Sequence, residues 1–281
     1  MRTISQRVGV VIMLSGLLFS GLSGCAAQAG TTRSVGTKAT KSVVGTHIAL
    51  QGPTNVQDLG GIRTKNGQTV RPHRLIRSSK LADYTAQDLR TLRVTYHLRS
   101  IVDFRSRKEI QQTPDPRVAR TTYHQDSVVA NNYGQRTTKQ FYQGLVSDPI
   151  ALRGYRAFFN QLLHQKSGAT LFHCTYGKDR TGIGAMLVLS ALGVSKQTIL
   201  REYLYSNTNL ARDPHVVFLN QRTPGKRAKT HLQRINAVTK GDLTAATQRI
   251  DQKYGSMANF LKRLGVTPTK QAQLKRLYLT K

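Results

Sequence analysis

The chain has 281 residues, a formal net charge of +30 and two cysteines. Its length fits one large domain with extensions, and two cysteines exclude a disulfide-rich scaffold. So large a positive net charge indicates anionic surroundings, such as lipid head groups, wall polymers or phosphorylated molecules. No nucleic-acid-binding motif accompanies the charge, so we expect no nucleic-acid partner.

Residues 1–24 have the layout of an export signal. Two arginines precede an apolar run over residues 8–22, which is short for a transmembrane helix. The run ends in a Leu-Ser-Gly-Cys sequence at Cys25, which is similar to the bacterial lipoprotein signal, in which the cysteine is lipidated and becomes the new N-terminus. An ordinary cleaved signal with an incidental Cys25 is the alternative. The similarity implies an extracytoplasmic protein, held at the bacterial membrane by acyl chains.

Residues 25–46 are rich in Ala, Gly, Ser and Thr and show no apolar period. This composition predicts a flexible tether, which leaves residues 47–281 as the folded domain. Lipidation of Cys25 would make Cys174 the one free cysteine of the mature chain. An intramolecular disulfide is then excluded.

Local patterns predict several elements in the first half of the domain. Asn66-Gly67 is a strong hairpin signal, and residues 74–78 and 101–105 are typical of short strands. A helix over residues 85–93 begins with a capping sequence at Thr85. Apolar residues three and four apart over 152–163 predict an amphipathic helix that packs on a core.

Polar residues end two of the predicted strands. Asp103 closes the apolar strand over 101–105, where it serves either as a structural ion pair or as a helper in a functional site. His124 ends another short strand and is interpreted as structural or solvated.

The segment over residues 170–182 carries the strongest chemical signal. An apolar run leads to Cys174, Gly177 follows in a short loop, and Arg180 begins a helix, with five residues between it and the cysteine. A lone cysteine in an apolar strand is usually a small core residue. The full spacing instead favours a nucleophilic thiolate in a phosphate-binding loop, because inward backbone N–H groups and a helix N-terminus would stabilise the ionised sulfur. The Arg180 guanidinium can bind two phosphate oxygens at once.

The other residues of this segment have predicted roles beside the nucleophile. His173 orients the loop and helps to keep the sulfur ionised, and the Thr181 hydroxyl helps the sulfur to leave in a second step. Phosphate binding is assigned to the loop residues Thr175, Tyr176, Gly177 and Lys178 together with Thr181.

Four helices are predicted in the chain that follows. Residues 183–192 are apolar on nearly every face, which predicts a buried helix that points its N-terminus at Cys174 and ends at Gly193. Ser195 opens a further helix, and two more are expected over residues 256–264 and 267–279. The basic segment 221–230 is either a solvated loop or a loop for anionic surfaces.

The sequence His-Cys-Thr-Tyr-Gly-Lys-Asp-Arg-Thr-Gly, residues 173–182, resembles the cysteine-dependent tyrosine and dual-specificity phosphatase superfamily. Its Gly-Lys-Asp-Arg form is similar to the bacterial branch that acts on phosphotyrosine and often on phosphoinositides. Residues 55–64 resemble the opening of that branch, with Val56 and Gln57 in place of its Phe and Arg. The resemblance extends to about residue 210 and implies an α/β fold, with a central, mostly parallel sheet flanked by helices.

The resemblance also implies a mechanism and a choice of general acid. In this branch the residue that matches Asp179 is the proposed acid, while Asp103 is the runner-up because many relatives supply the acid from a separate loop. Lys178 adds positive charge that suits multiply phosphorylated lipids. We expect no metal and no cofactor, because the chemistry uses an activated sulfur and the sequence shows no His/Asp cluster with ligand spacing.

The predicted function is therefore the hydrolysis of phosphate monoesters, on phosphorylated protein or phosphoinositide, through a cysteinyl-phosphate. Anionic lipid or cell-wall surfaces are the expected partners besides the substrate. A catalytically idle phosphate-binding lipoprotein with the same loop is the alternative. An arsenate-reductase-type enzyme is disfavoured, since such enzymes need additional reducing cysteines.

Overall fold

The computed structural model describes residues 44–281 except 132–133, 135, 214–215 and 219–232. The predicted export signal, Cys25, the tether up to residue 43 and the basic segment 221–230 lie outside the described residues. Within the described part of the chain, no helix combines the length and apolar character needed to cross a bilayer.

Six strands form the central sheet: β1 (Thr46–His47), β2 (Gln57–Asp58), β3 (Leu75–Ser78), β4 (Leu98–Asp103), β5 (Thr122–Gln125) and β6 (Ala169–His173). Their order across the sheet is β1-β2-β3-β6-β4-β5. The four strands β3, β6, β4 and β5 run parallel, and β1 and β2 add antiparallel pairs at one edge. The prediction of a mostly parallel α/β sheet is confirmed.

Strand β1 begins at Thr46, one residue inside the range predicted for the tether. The reason is local: Thr46 pairs with Asp58 of β2, and Gly45 adopts a positive φ of 82° where a Cβ would lie 2.3 Å from the Asp58 carbonyl oxygen. The polar composition that suggested a tether therefore extends into the first strand.

Helices surround the sheet: α1 (Ala86–Val94), α2 (Arg107–Gln112), α3 (Thr138–Gly144), α4 (Pro149–His164), α5 (Arg180–Leu192), α6 (Lys196–Ala211), α7 (Lys240–Tyr254), α8 (Met257–Arg263) and α9 (Pro268–Tyr278). Two short strands, β7 (Val216–Phe218) and β8 (Gln233–Ile235), pair in parallel outside the main sheet. The helices predicted at Thr85, over 152–163 and over 183–192 are present as α1, α4 and α5. Gly193 ends α5 in the left-handed conformation, with a φ of 88°.

Apolar residues on both faces of the central strands explain the layered fold. Phe172 of β6 and Val102 of β4 join a core with α4 and α5, whereas their neighbours Leu171 and Ile101 join a second core with Leu92 of α1. Successive side chains of a strand point to opposite faces, so each central strand is covered twice. Helix α5 is buried on nearly all sides, which fixes the position of its first residue.

Asp126, directly after β5, is a buried carboxyl group outside the predicted site. Its Oδ2 atom has no hydrogen-bond partner among the described residues, and burial raises its pKa to about 6. The folded state therefore holds this proton more tightly than the unfolded state, and stability falls as the pH rises from about 4 through 6.

We expect Asp126→Asn to raise the free energy of unfolding by about 1–2 kcal/mol at pH 8, a value discounted for partial solvent screening. At pH 4 the gain should vanish, because the wild-type carboxyl group is then protonated. Urea unfolding at the two pH values measures the difference. An equal gain at both would show that charge burial is not the cause.

Candidate active site

Residues 174–179 form a loop between β6 and α5, at the carboxyl end of the central parallel strands. Gly177 has a φ of 66°, and a Cβ at this position would lie 2.3 Å from the carbonyl oxygen of Ser78. Only glycine allows both this backbone conformation and this close approach to the end of β3. The predicted short loop around Gly177 is confirmed.

The amide groups of this loop lack partners in the part of the chain that the structure describes. The backbone N–H groups of residues 175–179 donate no hydrogen bond to an acceptor within the described part of the chain. Backbone donors in folded proteins are nearly always paired, so a run of unpaired donors leading into a helix N-terminus forms a site for an anion. This arrangement is the one that phosphate binding requires.

The carbonyl groups of the loop are bound from outside. Asn55 Nδ2 donates to Tyr176 O at 3.1 Å, the Lys80 N–H donates to Thr175 O at 3.2 Å, and Arg77 Nη2 donates to Gly177 O at 2.7 Å. Asn55 lies before β2, Arg77 lies in β3 and Lys80 follows β3. They hold the loop in the conformation that leaves its amides free.

Arg77 is itself fixed by a buried ion pair. Its Nη1 atom lies 2.6 Å from Glu202 Oε1 of α6, and neither side chain is exposed to solvent. Its Nη2 atom also donates to Ser206 Oγ at 2.9 Å. Because removal of one partner of a buried pair leaves an uncompensated charge, this contact ties the loop firmly to α6.

Arg180 donates a pair of hydrogen bonds to Glu109 of α2. Its Nη1 atom donates to Glu109 Oε2 at 2.6 Å and its Nη2 atom donates to Glu109 Oε1 at 2.9 Å. Nη2 also donates to Thr175 Oγ1 at 3.1 Å, and that hydroxyl donates to Glu109 Oε1 at 2.7 Å. Burial alone would raise the pKa of Glu109, but Arg180 lowers it to about 2. The Arg180–Glu109 ion pair therefore stays charged throughout the neutral pH range.

The Arg180 Nε atom is buried and has no hydrogen-bond partner among the described residues. Burial opposes the charge on this guanidinium, yet the negative charges of Cys174 and Glu109 raise its pKa. Glu109 thus orients the guanidinium while one N–H donor remains available for a phosphate oxygen.

Cys174 is the first residue of the loop and is 1% exposed, in contact with the main hydrophobic core. Thr181 in the first turn of α5 is fully buried, and its Oγ1 atom has no hydrogen-bond partner within the described residues. An unpaired buried hydroxyl is uncommon and calls for an explanation. A charged sulfur or a bound phosphate would supply its partner.

Asp179 is bound by two neighbours at the start of α5. Its Oδ1 atom accepts from Lys178 Nζ at 2.9 Å and from the Tyr142 hydroxyl of α3. The Tyr203 hydroxyl of α6 donates to the Tyr142 hydroxyl at 2.6 Å. The Lys178 ammonium is therefore paired with Asp179, and the two side chains act on the loop together.

Asp103 belongs to a buried cluster at the end of β4. Arg105 donates to it from Nε at 3.0 Å and from Nη2 at 2.7 Å, and the Tyr123 hydroxyl donates to its Oδ2 at 2.8 Å. Burial opposes ionisation, but the charges of His173 and Arg105 lower the pKa of Asp103 to about 2. Asp103 is thus a charged partner in a structural network.

His173 faces this same cluster. Its Nε2 atom lies 3.0 Å from Asp115 Oδ2 and 3.8 Å from Asp103 Oδ2, while its Nδ1 atom lies 3.2 Å from Cys174 O. Burial favours the neutral ring, yet the two carboxylates raise the pKa of His173. The two carboxylates thus favour the protonated form of this ring, which precedes the loop.

The same three residues, Asp103, Asp115 and His173, have the spacing of metal ligands, which the sequence did not reveal. Arg105 lies among them, with Nη2 at 2.7 Å from Asp103 and 3.0 Å from Asp115. The guanidinium supplies the positive charge that the two carboxylates require. The cluster therefore has a protein cation where a metal ion would otherwise be needed.

A model of the tyrosine phosphatase family matches residues 48–280, which include every strand of the main sheet except β1. The chain belongs to the tyrosine phosphatase family. This membership supports phosphatase activity.

Three relatives agree with the family assignment. The chain is 33% identical over 239 residues to a predicted tyrosine-protein phosphatase of Cupriavidus necator. The aligned region covers 80% of the chain and 86% of that relative. It is 31% identical over 192 residues to a tyrosine-protein phosphatase of Nostoc commune, 62% of the chain and 64% of the relative. A triple specificity protein phosphatase of Mycobacterium tuberculosis is 35% identical over 107 residues, 34% of the chain and 39% of the relative.

Several residues around the phosphatase loop were missed from the sequence. Glu109 is the most important, because it binds both terminal nitrogens of Arg180. The Ser106-to-Glu109 capping box was a readable signal for α2, but it does not reveal the distant contact. Tyr142 on α3 and the Arg77–Glu202 pair join residues that are far apart in sequence and carry no local signature.

We expect Glu109→Gln to lower kcat/KM for a phosphate monoester by about 10- to 100-fold, because Arg180 loses its charged partner and its fixed orientation. Most of the change should be in KM, since Arg180 binds the phosphate oxygens. Steady-state kinetics measures the split. Lys108→Ala, an exposed neighbour on the same helix, is the matched control and should change neither constant. Wild-type kinetics in Glu109→Gln would contradict the positioning role.

Proposed function

We propose that the protein is a cysteine-dependent phosphatase that hydrolyses phosphate monoesters through a cysteinyl-phosphate. The observation that carries this proposal is a combination of three features: five loop amides and an Arg180 donor that have no partner among the described residues, and a buried cysteine that begins the same loop. These groups match the charge and the hydrogen-bonding capacity of a phosphate dianion.

In the first step the Cys174 thiolate attacks phosphorus, an S–P bond forms and the bond from phosphorus to the ester oxygen breaks. Asp179 gives its proton to the departing oxygen, and the loop amides and Arg180 stabilise the equatorial oxygens. In the second step water attacks phosphorus, its proton passes to Asp179 and the thiolate leaves with help from the Thr181 hydroxyl. The first step leaves Asp179 able to accept the proton of water, and the second restores both the thiolate and the protonated Asp179.

Asp179 is proposed as the acid in preference to Asp103. A general acid must carry a proton near neutral pH, and the Asp103 carboxyl group, with a pKa of about 2, does not. Asp179 lies in the loop itself, directly before Arg180, whereas Asp103 is bound by Arg105 and Tyr123 in the buried cluster at the end of β4.

Phosphotyrosine is the proposed substrate class, with phosphoinositide as a second class for the same site. Two relatives are named tyrosine-protein phosphatases, and one is named a triple specificity phosphatase. The strongly positive chain supports an anionic lipid or wall surface as the place of action.

Parallel phosphate-release assays on phosphotyrosine peptides, phosphoserine peptides and a phosphoinositide panel test this proposal. We expect phosphotyrosine peptides to be hydrolysed with the highest kcat/KM. No release from any ester, in protein that still binds inorganic phosphate, would instead identify a catalytically idle phosphate-binding protein.

The proposed location is the outer side of the bacterial cytoplasmic membrane, with the chain attached by lipid at Cys25. The motif at residues 22–25 supports it. Labelling of cells with a radioactive fatty acid should mark the wild-type protein and not Cys25→Ser. Equal labelling of both proteins would rule out this anchor.

A further inference from the structure

A second cavity lies along α5, away from the phosphate loop. Its volume is about 490 Å³, within the range of ~300–1,000 Å³ that is typical of small-molecule sites. Met186 and Ser190 of α5 line it, six and ten residues beyond Arg180. At ~1.5 Å of rise per residue these positions lie about 9 and 15 Å further along the helix. The cavity therefore shares a helix with the active site but none of its residues.

The floor of this cavity is hydrocarbon. It is formed by Met186 of α5, Ile199 of α6, Leu243 and Ile250 of α7 and Leu261 of α8, each at most 6% exposed. The four helices meet here without filling the space between them. A polar ligand would lose its hydration against such a surface, whereas an alkyl chain would gain about 25 cal/mol for each Å² removed from water.

The charges around the cavity are mainly positive. Lys65, Lys196 and Lys240 line it, with Asp251 as the one acidic lining residue. None of these four side chains forms an ion pair with another described residue. Lys196 and Lys240 are also the first residues of α6 and α7, where the helix dipoles add further positive potential.

We propose that this cavity binds a single-chain anionic amphiphile, a long-chain fatty acid. The alkyl chain lies on the apolar floor and the carboxylate is bound by the three lysines. Charge complementarity selects the anion. The three lysines, which form no ion pair with a described residue, outnumber the one lining carboxylate, that of Asp251, and so disfavour a cationic amphiphile of the same length. The proposal is independent of the phosphatase mechanism, because no residue of the active site takes part.

Isothermal titration calorimetry with dodecanoate, below its micelle concentration, tests this proposal. The full chain carries Cys25→Ser, so that no attached acyl chain competes for the cavity. We expect one saturable site, with binding at least 10-fold weaker for dodecyltrimethylammonium and at least 100-fold weaker for hexanoate, which buries six fewer methylene groups. Equal affinity for the anionic and cationic amphiphiles, or no saturable binding of dodecanoate, would overturn the proposal.

Two variants locate the ligand. The triple variant Lys65→Ala, Lys196→Ala and Lys240→Ala should bind dodecanoate at least 10-fold more weakly, while the matched triple Lys139→Ala, Lys262→Ala and Lys281→Ala, of exposed lysines elsewhere, should bind as the parent does. Thr244→Trp, at a half-buried lining position on α7, should abolish binding by filling the space. Thermal unfolding midpoints show that each variant is folded. Parent-like affinity in the first triple variant, or equal weakening in both triples, would place the amphiphile elsewhere.

Discussion

Replacement of Cys174 by serine is expected to lower the rate of phosphate-ester hydrolysis by at least about 10⁴-fold. A serine hydroxyl has nearly the size of the thiol but is not ionised at neutral pH, so the attacking group is lost while the loop keeps its shape. The rate of para-nitrophenyl phosphate turnover measures the effect. The free amides and Arg180 remain, so binding of inorganic phosphate should persist in the variant.

The control for this experiment is the same substitution at the other cysteine. Cys25→Ser removes a thiol that lies outside the loop and should leave the turnover rate unchanged. Iodoacetate should inactivate the Cys25→Ser protein and should have no effect on the residual rate of Cys174→Ser. Substantial turnover in Cys174→Ser would show that sulfur is not the nucleophile.

The second large effect is expected for Asp179→Asn and should depend on the leaving group. With phenyl phosphate, whose phenol is a poor leaving group, kcat should fall by about 10²–10³-fold, because no proton reaches the ester oxygen. With para-nitrophenyl phosphate, whose leaving group needs less protonation, the fall should be less than about 10-fold. The ratio of the two rates is the measurement.

Asp103→Asn is the comparison for this test. It breaks the buried pair with Arg105, so we expect a loss of stability of about 3–5 kcal/mol and a smaller active fraction. That loss should lower both rates in the same proportion, since the ratio of the two rates does not depend on the amount of folded enzyme. A leaving-group effect in Asp103→Asn, and none in Asp179→Asn, would reverse the assignment of the acid.

Patterns that lie within one short segment were predictable. The run from β6 through Cys174 to Arg180 joins a strand, a turn and a helix N-terminus, and each has its own local chemistry. The caps at Thr85, Ser195 and Thr267 likewise marked helices that the structure contains. The resemblance to the phosphatase superfamily then placed these elements in a parallel sheet.

Contacts between distant segments were not predictable from one sequence. Glu109 and Arg180 are 71 residues apart, and nothing in either segment specifies the other. Helix α7 was missed because its buried face includes Ala245 and Ala246 and so gives a weak apolar period. For Asp103, the position at a strand end could be predicted from the sequence. Its charge could not, because Arg105, Tyr123 and His173 together determine it.

The bracing of the phosphate loop by Asn55, Arg77 and Lys80 has a consequence for the conditions under which the enzyme works. A binding loop that is already rigid loses little conformational entropy when its ligand binds. Inorganic phosphate, the reaction product, presents the same oxygens as the ester and meets the same loop. Product inhibition should therefore be strong, and hydrolysis should proceed fastest where the surrounding medium is poor in free phosphate.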